Sequence, residues 1–141
     1  MKDLWWTEGD ESSEAGGVTK IVQEMVGRKI QLISVHWSNL DRNEYIYSPD
    51  IDWSSKRRMV LSWKGKVQED ILSKSRYIVE RVPGEDNQIR LISVHWSTNS
   101  RKEYLYSPDI DRSSKRRMVL SWKGDVQEDI LSKSRYLISI D

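Results

Sequence analysis

"SSKRRMVLSWKG" occupies residues 54–65, and the same twelve letters return at residues 113–124. On either side of this stretch the identity continues: residues 32–77 align with residues 91–136 without a gap, at a constant offset of 59. Of the 46 aligned positions, 39 are identical. The chain therefore contains a duplicated unit, and each copy is expected to build the same small structure.

The seven positions that differ between the copies are concentrated in one short segment. Four of them lie between residues 39 and 43, where we predict a surface loop, since packing constrains loops least. The substitution of tryptophan by arginine at position 112 is the difference most able to make the copies unequal. The seven pairs are Asn39/Thr98, Leu40/Asn99, Asp41/Ser100, Asn43/Lys102, Ile46/Leu105, Trp53/Arg112 and Lys66/Asp125.

Within each copy the sequence predicts short β-strands. "KIQLISVHW" at residues 29–37 is rich in β-branched residues, and Met59, Leu61 and Trp63 alternate onto one face of a later strand. Between them lies a strand that ends at Pro49. Five short strands in about 54 residues predict an all-β fold of two small, strongly bent antiparallel β-barrels in tandem.

The composition divides the chain into four segments. The first is an acidic leader that we predict to be partly disordered, with a helix over residues 18–26 because apolar residues recur there at helical spacing. A turn at Pro83 and Gly84 is predicted to join the barrels. The segments are the leader at 1–28, the first barrel at 29–82, a linker at 83–87 and the second barrel at 88–141.

Charge is distributed unevenly along the chain. The leader carries three basic and six acidic side chains, while each copy carries ten basic and seven acidic ones. The copies are therefore mildly basic, which permits contact with nucleic acid or an acidic partner. The sequence has no cysteine, no metal-ligand cluster and no phosphate-binding glycine loop, so we expect no metal, no cofactor and no enzyme activity. No apolar run is long enough to cross a bilayer, and no membrane contact is expected.

The order of features in each copy resembles the Tudor domain of the Royal family. "VGRKI" at residues 26–30 leads into a strand that ends in tryptophan, then a polar loop and a tyrosine pair. The second copy continues with "WKGDVQEDILSKSRY" at residues 122–136, which is similar to the family's glycine turn, acidic residue and final aromatic. The resemblance implies a tandem Tudor module: a nuclear, non-catalytic chromatin reader of methylated lysine or arginine in a histone tail or another methylated protein tail.

The Tudor resemblance also implies where the ligand binds. Such domains hold a methylated cation in a cage of aromatic rings, each of which attracts it by roughly 0.5–2 kcal/mol. Packing in the barrel core is the competing interpretation for the same rings. The cage positions implied are Trp37, Tyr45, Tyr47 and Trp63 in the first copy and Trp96, Tyr104, Tyr106 and Trp122 in the second.

The sequence departs from the family pattern at the rim of the expected cage. Where the family often has an aromatic and two acids before the turn glycine, this chain has Ser62, Trp63 and Lys64, repeated in the second copy. A lysine at this rim would repel a cationic ligand. The candidate acids that would replace the missing ones are Asp50, Asp52, Asp109 and Asp111.

Two other functions are compatible with the sequence. The basic loops at 56–58 and 115–117, with a nearby lysine in each copy, are candidate DNA or RNA contacts, although such runs often only keep a surface soluble. The third function is a protein–protein scaffold whose copies dock on each other or on a partner, and no oligomeric state is predicted. The candidate nucleic-acid contacts are Lys56, Arg57, Arg58, Lys64, Lys115, Arg116, Arg117 and Lys123.

Overall fold

A computed structural model describes residues 14–139. The leader and the first copy form α1 (Glu14–Met25), β1 (Lys29–Gln31), β2 (Ile33–Asn39), β3 (Arg42–Tyr47), β4 (Asp52–Ser54), β5 (Arg57–Met59), β6 (Leu61–Ser62), α2 (Glu69–Lys74) and β7 (Arg76–Arg81). The second copy forms β8 (Gln88–Ser93), β9 (Leu105–Tyr106), β10 (Asp111–Ser113), β11 (Arg116–Arg117), β12 (Leu120–Trp122), α3 (Glu128–Lys133) and β13 (Tyr136–Leu137). Most of the regular secondary structure is β-strand in antiparallel sheets, with three helices among the described residues, which is consistent with the all-β class. Across the described range, no helix is both long and apolar enough to span a bilayer.

The leader forms a helix where the apolar spacing predicts one. The observed helix starts four residues before the predicted segment and ends one residue before its end. Its Val22 is fully buried and packs against Tyr77 and Val79. The chain then turns at Gly27, whose φ of 81° lies in the left-handed region that glycine adopts without strain. Residues 1–13 lie outside the described range, and the helix includes residues 14–17, the end of the segment 7–17 that the composition predicts to be disordered.

A continuous sheet joins the two copies. Its strand order is β1-β7-β8-β13, so the last strand of the first copy pairs with the first strand of the second. In this pairing Val79 lies opposite Leu91 and Arg81 lies opposite Ile89. Gly84 has a φ of 82° in the linker between these two strands. The predicted turn therefore connects neighbouring strands of one shared sheet.

A second sheet also crosses the boundary between the copies. Its order, β4-β5-β12-β9, places a hairpin of the first copy beside two strands of the second. β5 and β12 run antiparallel, with Met59 opposite Leu120, Arg58 opposite Ser121 and Arg57 opposite Trp122. Among the described strands, the second copy does not place its own hairpin beside the first copy in return. β11 pairs only with β10, and β6 pairs only with β3.

The sequence predicts two barrels in tandem but leaves open whether their strands interdigitate, and the shared sheets show that strands of the two copies do mix. The predicted units 29–82 and 88–141 follow the repeat in sequence, yet each contributes strands to sheets that contain strands of the other. None of the sheets in the described part of the chain closes into a barrel. A strand edge in so small a unit needs a partner, and for β12 the first copy supplies it.

Two groups of buried apolar side chains hold the sheets together. The smaller group lies in the second copy and contains Tyr106, Leu120 and Ile130. Leu61, the counterpart of the fully buried Leu120, is only partly buried, so the second copy is the better packed of the two. The larger group joins the leader helix to both copies and contains Val22, Tyr77, Val79, Ile89, Leu91 and Leu105.

We expect Leu120→Ala to lower the free energy of unfolding by about 3 kcal/mol, because it opens a cavity at a fully buried position. The matched substitution Leu61→Ala should cost clearly less, since Leu61 is only partly buried. Urea unfolding of dilute protein, followed by tryptophan fluorescence, measures both values. Equal costs would mean that the two copies are packed alike and would contradict the unequal arrangement.

Candidate functional site

The pairing of β5 with β12 brings Arg58 of the first copy onto Trp96 of the second. The guanidinium carbon lies 3.6 Å from the centroid of the indole ring, a position in which the ring face attracts a cation. Arg58 Nε donates to Glu103 Oε2 at 2.9 Å, and its Nη1 donates to Asp50 Oδ1 at 3.2 Å. Arg58 is only 5% exposed. The second copy therefore holds a planar cation against an indole face and beside a carboxylate.

Glu103 is the anion of this site, and it is fully buried. Ser121 donates to its Oε2 at 2.6 Å, and Arg101 Nη2 lies 3.6 Å from its Oε1. The Glu103 backbone N–H donates to Ser97 Oγ at 2.9 Å. A buried carboxylate is tolerated only when it is paired, and Arg58 provides the closest cation.

Further polar contacts hold the first copy against the second, around the β4–β5 hairpin, which we call the inserted hairpin. Arg57 Nε donates to Tyr106 Oη at 3.1 Å, and its guanidinium carbon lies 5.7 Å from the ring centroid of Trp122. The indole N–H of Trp96 donates to the carbonyl of Ser48 at 2.7 Å. These polar contacts all join one copy to the other.

The lysine that the sequence places at the rim is neutralised in the second copy. Lys123 Nζ donates to Asp52 Oδ1 at 2.8 Å, and the Lys123 backbone N–H donates to the Lys56 carbonyl at 2.8 Å. Asp52 lies opposite Arg58 in the hairpin. The hairpin thus brings both the cation for the site and the acid that offsets the rim lysine.

The first copy contains the same residues, but within the described range no arginine from an inserted hairpin lies among them. Ser62 donates to Glu44 Oε2, Arg42 Nη2 donates to Glu44 Oε1 at 3.2 Å, and the Glu44 N–H donates to Ser38 Oγ at 2.8 Å. Trp37, the counterpart of Trp96, is 64% exposed. Over the described residues, no lysine or arginine lies on its ring. We call Trp37, Glu44, Ser62 and Arg42 the Trp37 site.

The carboxyl of the Trp37 site is ionised at neutral pH. The hydrogen bond from Ser62 is the strongest influence on the pKa of Glu44 and lowers it, while partial burial raises it. Arg42 and Lys64 lower the pKa further, so it lies below the usual value of 4.5. The site therefore contains an ionised carboxylate that is 7% exposed and bonded to Arg42, in the strand pair that also carries the exposed indole of Trp37.

The β10–β11 hairpin of the second copy pairs with no other described strand, whereas the β4–β5 hairpin of the first copy pairs with β12. β10 and β11 have the same register and the same bulge as β4 and β5, with Asp111 opposite Arg117 and Ser113 opposite Arg116. Arg117 is exposed although its counterpart Arg58 is buried. Its Nε lies 3.9 Å from Asp111 Oδ1. Each chain thus has one bound and one unbound form of the same hairpin.

The structure places most of the predicted cage tyrosines in the core. Tyr47, Tyr104 and Tyr106 are buried, and Tyr45 is half-buried. Burial raises the pKa of Tyr104 to about 12, and its hydroxyl donates to Glu80 Oε1 at 3.0 Å. The chain has no phenylalanine, so its tyrosines supply the large rings that a small β-unit needs for its interior.

The predicted cage tryptophans 63 and 122 pack on these tyrosines. Tyr47 and Trp63 meet edge to face at 5.8 Å, and Tyr106 and Trp122 do so at 5.7 Å. None of the ring pairs in the described part of the chain joins Trp37 to Tyr47 or Trp63. Among the predicted cage tryptophans and tyrosines, Trp37 is the most exposed, at 64%.

The predicted acids and basic residues divide between the two copies. Arg57 and Arg58 bond inside the chain, so the loop at 56–58 does not present them to nucleic acid. Asp50, Asp52 and Lys123 also take part in the contacts between the copies. The Lys56 side chain is exposed but lies against Gly124 of the second copy. The predicted residues that remain exposed without such a role are Lys64, Asp109, Asp111, Lys115, Arg116 and Arg117.

Sequence reasoning missed the carboxylates at the centre of the site. Glu44 and Glu103 stand at the same position in both copies, between the variable loop and the tyrosine pair. The signal in the sequence was a glutamate inside a strand, followed by apolar or aromatic residues. A carboxylate at such a position is expected to be buried and therefore to need a specific partner. The cross-strand serines, Ser62 and Ser121, looked like lost cage rings but are hydrogen-bond donors to these carboxylates.

A shallow hollow occurs at the same place in both copies, next to the variable loop. Five of the seven positions that differ between the copies line it in at least one copy, so the two hollows have the same net charge but carry their charged side chains at different positions. Each is lined by a single aromatic ring, Tyr45 or Tyr104. One ring does not make a cage for a methylated cation.

The arrangement is suited to binding a cation. An indole face and an ionised carboxylate together recognise a planar cationic group such as guanidinium, and the serine hydroxyl donates to the carboxylate and holds it in place. In the part of the chain that the structure describes, no three potential metal ligands lie together.

Comparisons with protein-family models, with curated proteins and with solved structures found no significant match to this chain.

We expect Arg58→Ala to lower the free energy of unfolding by about 3 kcal/mol, because it leaves Glu103 buried without its closest cation. The matched variant Arg117→Ala should change stability by less than about 0.5 kcal/mol, since Arg117 is exposed. Chemical unfolding followed by circular dichroism compares them. Should both variants be equally harmless, the buried contact would not be what holds the copies together.

Ser62→Ala is expected to raise the pKa of Glu44 toward its usual value, because the Ser62 hydrogen bond is the strongest influence lowering it. A carboxyl with a lowered pKa stabilises the folded chain above its ordinary pKa, and that stabilisation is lost as the pH falls through the folded value. The variant should therefore gain less stability between acidic and neutral pH.

Carbon-detected NMR titration of the Glu44 carboxyl measures this pKa. Ser55→Ala, which alters an exposed serine of the neighbouring hairpin, is the control and should leave it unchanged. An unaltered titration in Ser62→Ala would rule out the assigned cause.

Proposed function

We propose that this chain is a non-catalytic reader module that binds a cationic side chain of a partner protein at the Trp37 site. The observation that supports it is the contact of Arg58 with Trp96 and Glu103, in which the same residue types already hold an arginine. Trp37, Glu44, Ser62 and Arg42 are identical to their counterparts in the second copy. The open site therefore has the chemistry for the same kind of ligand.

Arginine or methylarginine is the ligand that the contact of Arg58 favours. Arg58 donates from Nε and Nη1, whereas its Nη2 makes no hydrogen bond within the described residues. A methyl group on Nη2 would thus remove no hydrogen bond. Trimethyllysine has no N–H to donate to Glu44, and its ammonium group does not stack as a plane, so it is the weaker candidate.

The Tudor resemblance adds the class of partner to this proposal. The same strand pairings recur in both copies: β3 with β6 matches β9 with β12, and β4 with β5 matches β10 with β11. We interpret each copy as a Tudor-like unit, with a hairpin passed from the first unit to the second. On this interpretation the partner is a methylated histone tail or another methylated protein tail, and the chain acts in the nucleus.

Lys64 adds a requirement for the ligand. Its counterpart Lys123 is paired with Asp52, the residue opposite Arg58 in the inserted hairpin. A peptide that carries an acidic side chain near its arginine would offset Lys64 in the same way, while a purely basic peptide would be repelled. Binding is therefore expected to depend on the residues that flank the arginine.

Nucleic-acid binding receives less support. Of the two predicted basic loops, only residues 115–117 present their arginines to solvent. Contacts of this kind carry affinity without sequence preference and weaken steeply with salt. The Trp37 site, with its carboxylate, would repel a phosphate.

Peptides containing arginine or Nη-methylated arginine next to an aspartate are expected to bind the wild-type chain, and Trp37→Ala should weaken that binding about tenfold or more by removing the ring face. Isothermal titration calorimetry measures the affinities. Trp53→Ala, which removes another partly exposed tryptophan of the first copy, is the control and should bind like the wild type. If no arginine peptide binds, or if Trp37→Ala binds as well as the control, the proposal fails.

A further inference from the structure

We infer that the hairpin of residues 111–117 pairs with β6 of a second copy of this chain, and that Arg117 is then the cation on Trp37. The donor hairpin and the receiving strand edge both exist in every chain, and neither has a partner among the described residues. The inference rests on the Trp37 site accepting an arginine, as the proposed function does, but it names a different source of that arginine.

The pairing of β5 with β12 inside the chain is the template for this contact. Its register places Met59, Arg58 and Arg57 opposite Leu120, Ser121 and Trp122. Transposed by the repeat offset of 59, it places Met118, Arg117 and Arg116 opposite Leu61, Ser62 and Trp63 of the second copy.

Every side chain that makes the template contact is present again. None of the seven differing positions takes part in it, so the duplicated surfaces are chemically identical at each contact. On the hairpin, Arg117, Arg116 and Asp111 correspond to Arg58, Arg57 and Asp52. On the receiving edge, Trp37, Glu44, Ser62, Tyr47 and Lys64 correspond to Trp96, Glu103, Ser121, Tyr106 and Lys123.

The free hairpin, and the receiving edge at Glu44, have the local geometry of the template contact. The free hairpin has the register and bulge of the bound one. In the receiving edge, the Glu44 N–H donates to Ser38 Oγ at 2.8 Å, as the Glu103 N–H does to Ser97 Oγ at 2.9 Å. Little conformational freedom is then lost when the two halves meet, which favours association.

An exposed apolar strip on β2 points to the same partner. Val35 is 90% exposed and Trp37 is 64% exposed, while their counterparts Val94 and Trp96 are partly covered. Ile33 is 41% exposed, whereas its counterpart Ile92 is 5% exposed. In the second copy Ile92 is covered by β7, where it lies opposite Ile78, and Trp96 is covered by Arg58 of the inserted hairpin, so the equivalent hairpin of a second copy would cover the Trp37 end of the strip.

Self-pairing also supplies the acid that the rim lysine requires. Asp111 lies opposite Arg117 in its hairpin, as Asp52 lies opposite Arg58. Transposed from the contact of Lys123 with Asp52, Asp111 of the second copy would pair with Lys64. The hairpin of this chain is thus a ligand whose charges match the Trp37 site at both positions.

Such a contact joins unlike surfaces, a hairpin of one molecule and a strand edge of another. If each molecule gives its hairpin to the one that accepts from it, a dimer closes; if the transfer continues in one direction, longer assemblies form. In either case the particle contains more than one chain, and its mass depends on protein concentration.

Size-exclusion chromatography with light scattering over a range of protein concentrations tests the inference. The wild-type chain should self-associate, and Arg117→Ala should weaken the association by roughly thirtyfold or more, because it removes one partner of a hydrogen-bonded charge pair. Trp37→Ala should also weaken it. Arg112→Ala removes the same charge from the same hairpin at one of the seven differing positions, so it is the matched control and should associate like the wild type.

Mixing two variants gives the sharper result. The Arg117→Ala variant can still receive a hairpin at Trp37, but its own hairpin lacks the arginine. The Trp37→Ala variant can still donate its hairpin, but its receiving edge lacks the indole ring. Each alone should remain monomeric, and an equimolar mixture should form a dimer of one chain of each kind. A wild-type chain that stays monomeric at every concentration, or a mixture that does not associate, would overturn the inference.

The same variants separate this inference from the proposed function. Arg117→Ala chains have a free Trp37 site, so they serve for peptide titrations without competition from a second copy. Peptide binding by chains that never self-associate would remove this inference alone. Self-association of chains that bind no arginine peptide would remove the proposed function alone.

Discussion

Glu103 is a carboxylate with no access to solvent, and its closest cation is an arginine from the other half of the chain. A charge buried in this way strongly destabilises the folded chain unless a partner neutralises it. Because the partner is Arg58, β5 must lie next to β12, in the register that sets Arg58 opposite Ser121, which donates to the same carboxylate. Strand pairing, charge and ring stacking thus all specify one arrangement of the two copies.

The asymmetry of the molecule follows from the number of copies. Each copy has one hairpin to give and one strand edge that can receive. Two copies in one chain have a single junction, so one edge is filled while one hairpin and one edge remain at the ends, as in terminal repeats of a repeat array. Trp37, with its exposed ring, belongs to the strand edge that remains unfilled, and Arg117, with its exposed guanidinium, belongs to the hairpin that remains unpaired. Their different environments come from connectivity, since their sequences are the same as those of the filled junction.

The two roles inferred for the Trp37 site compete for the same surface. A hairpin of a second copy and an arginine in a partner's tail would both place a guanidinium on Trp37 and beside Glu44, so occupation by one excludes the other. Their balance would follow mass action: crowding of copies favours self-pairing, and an abundant methylated tail favours the peptide-bound monomer. A site of this kind links assembly of the chain to the presence of its ligand.

The duplication, the alternating strands and the helix of the leader could be predicted because they are local patterns, each set by residues a few positions apart. The cage positions could not be predicted in the same way: alternation places Tyr45 and Tyr47 on one strand face without showing which face meets the core. Most of all, Arg58 and Arg117 lie in identical local sequence, as do Trp96 and Trp37, yet one pair is in contact and the other is open. Identical neighbours have identical local preferences, so the difference arises from long-range pairing, which places β5 beside β12 and leaves β6 with a free edge.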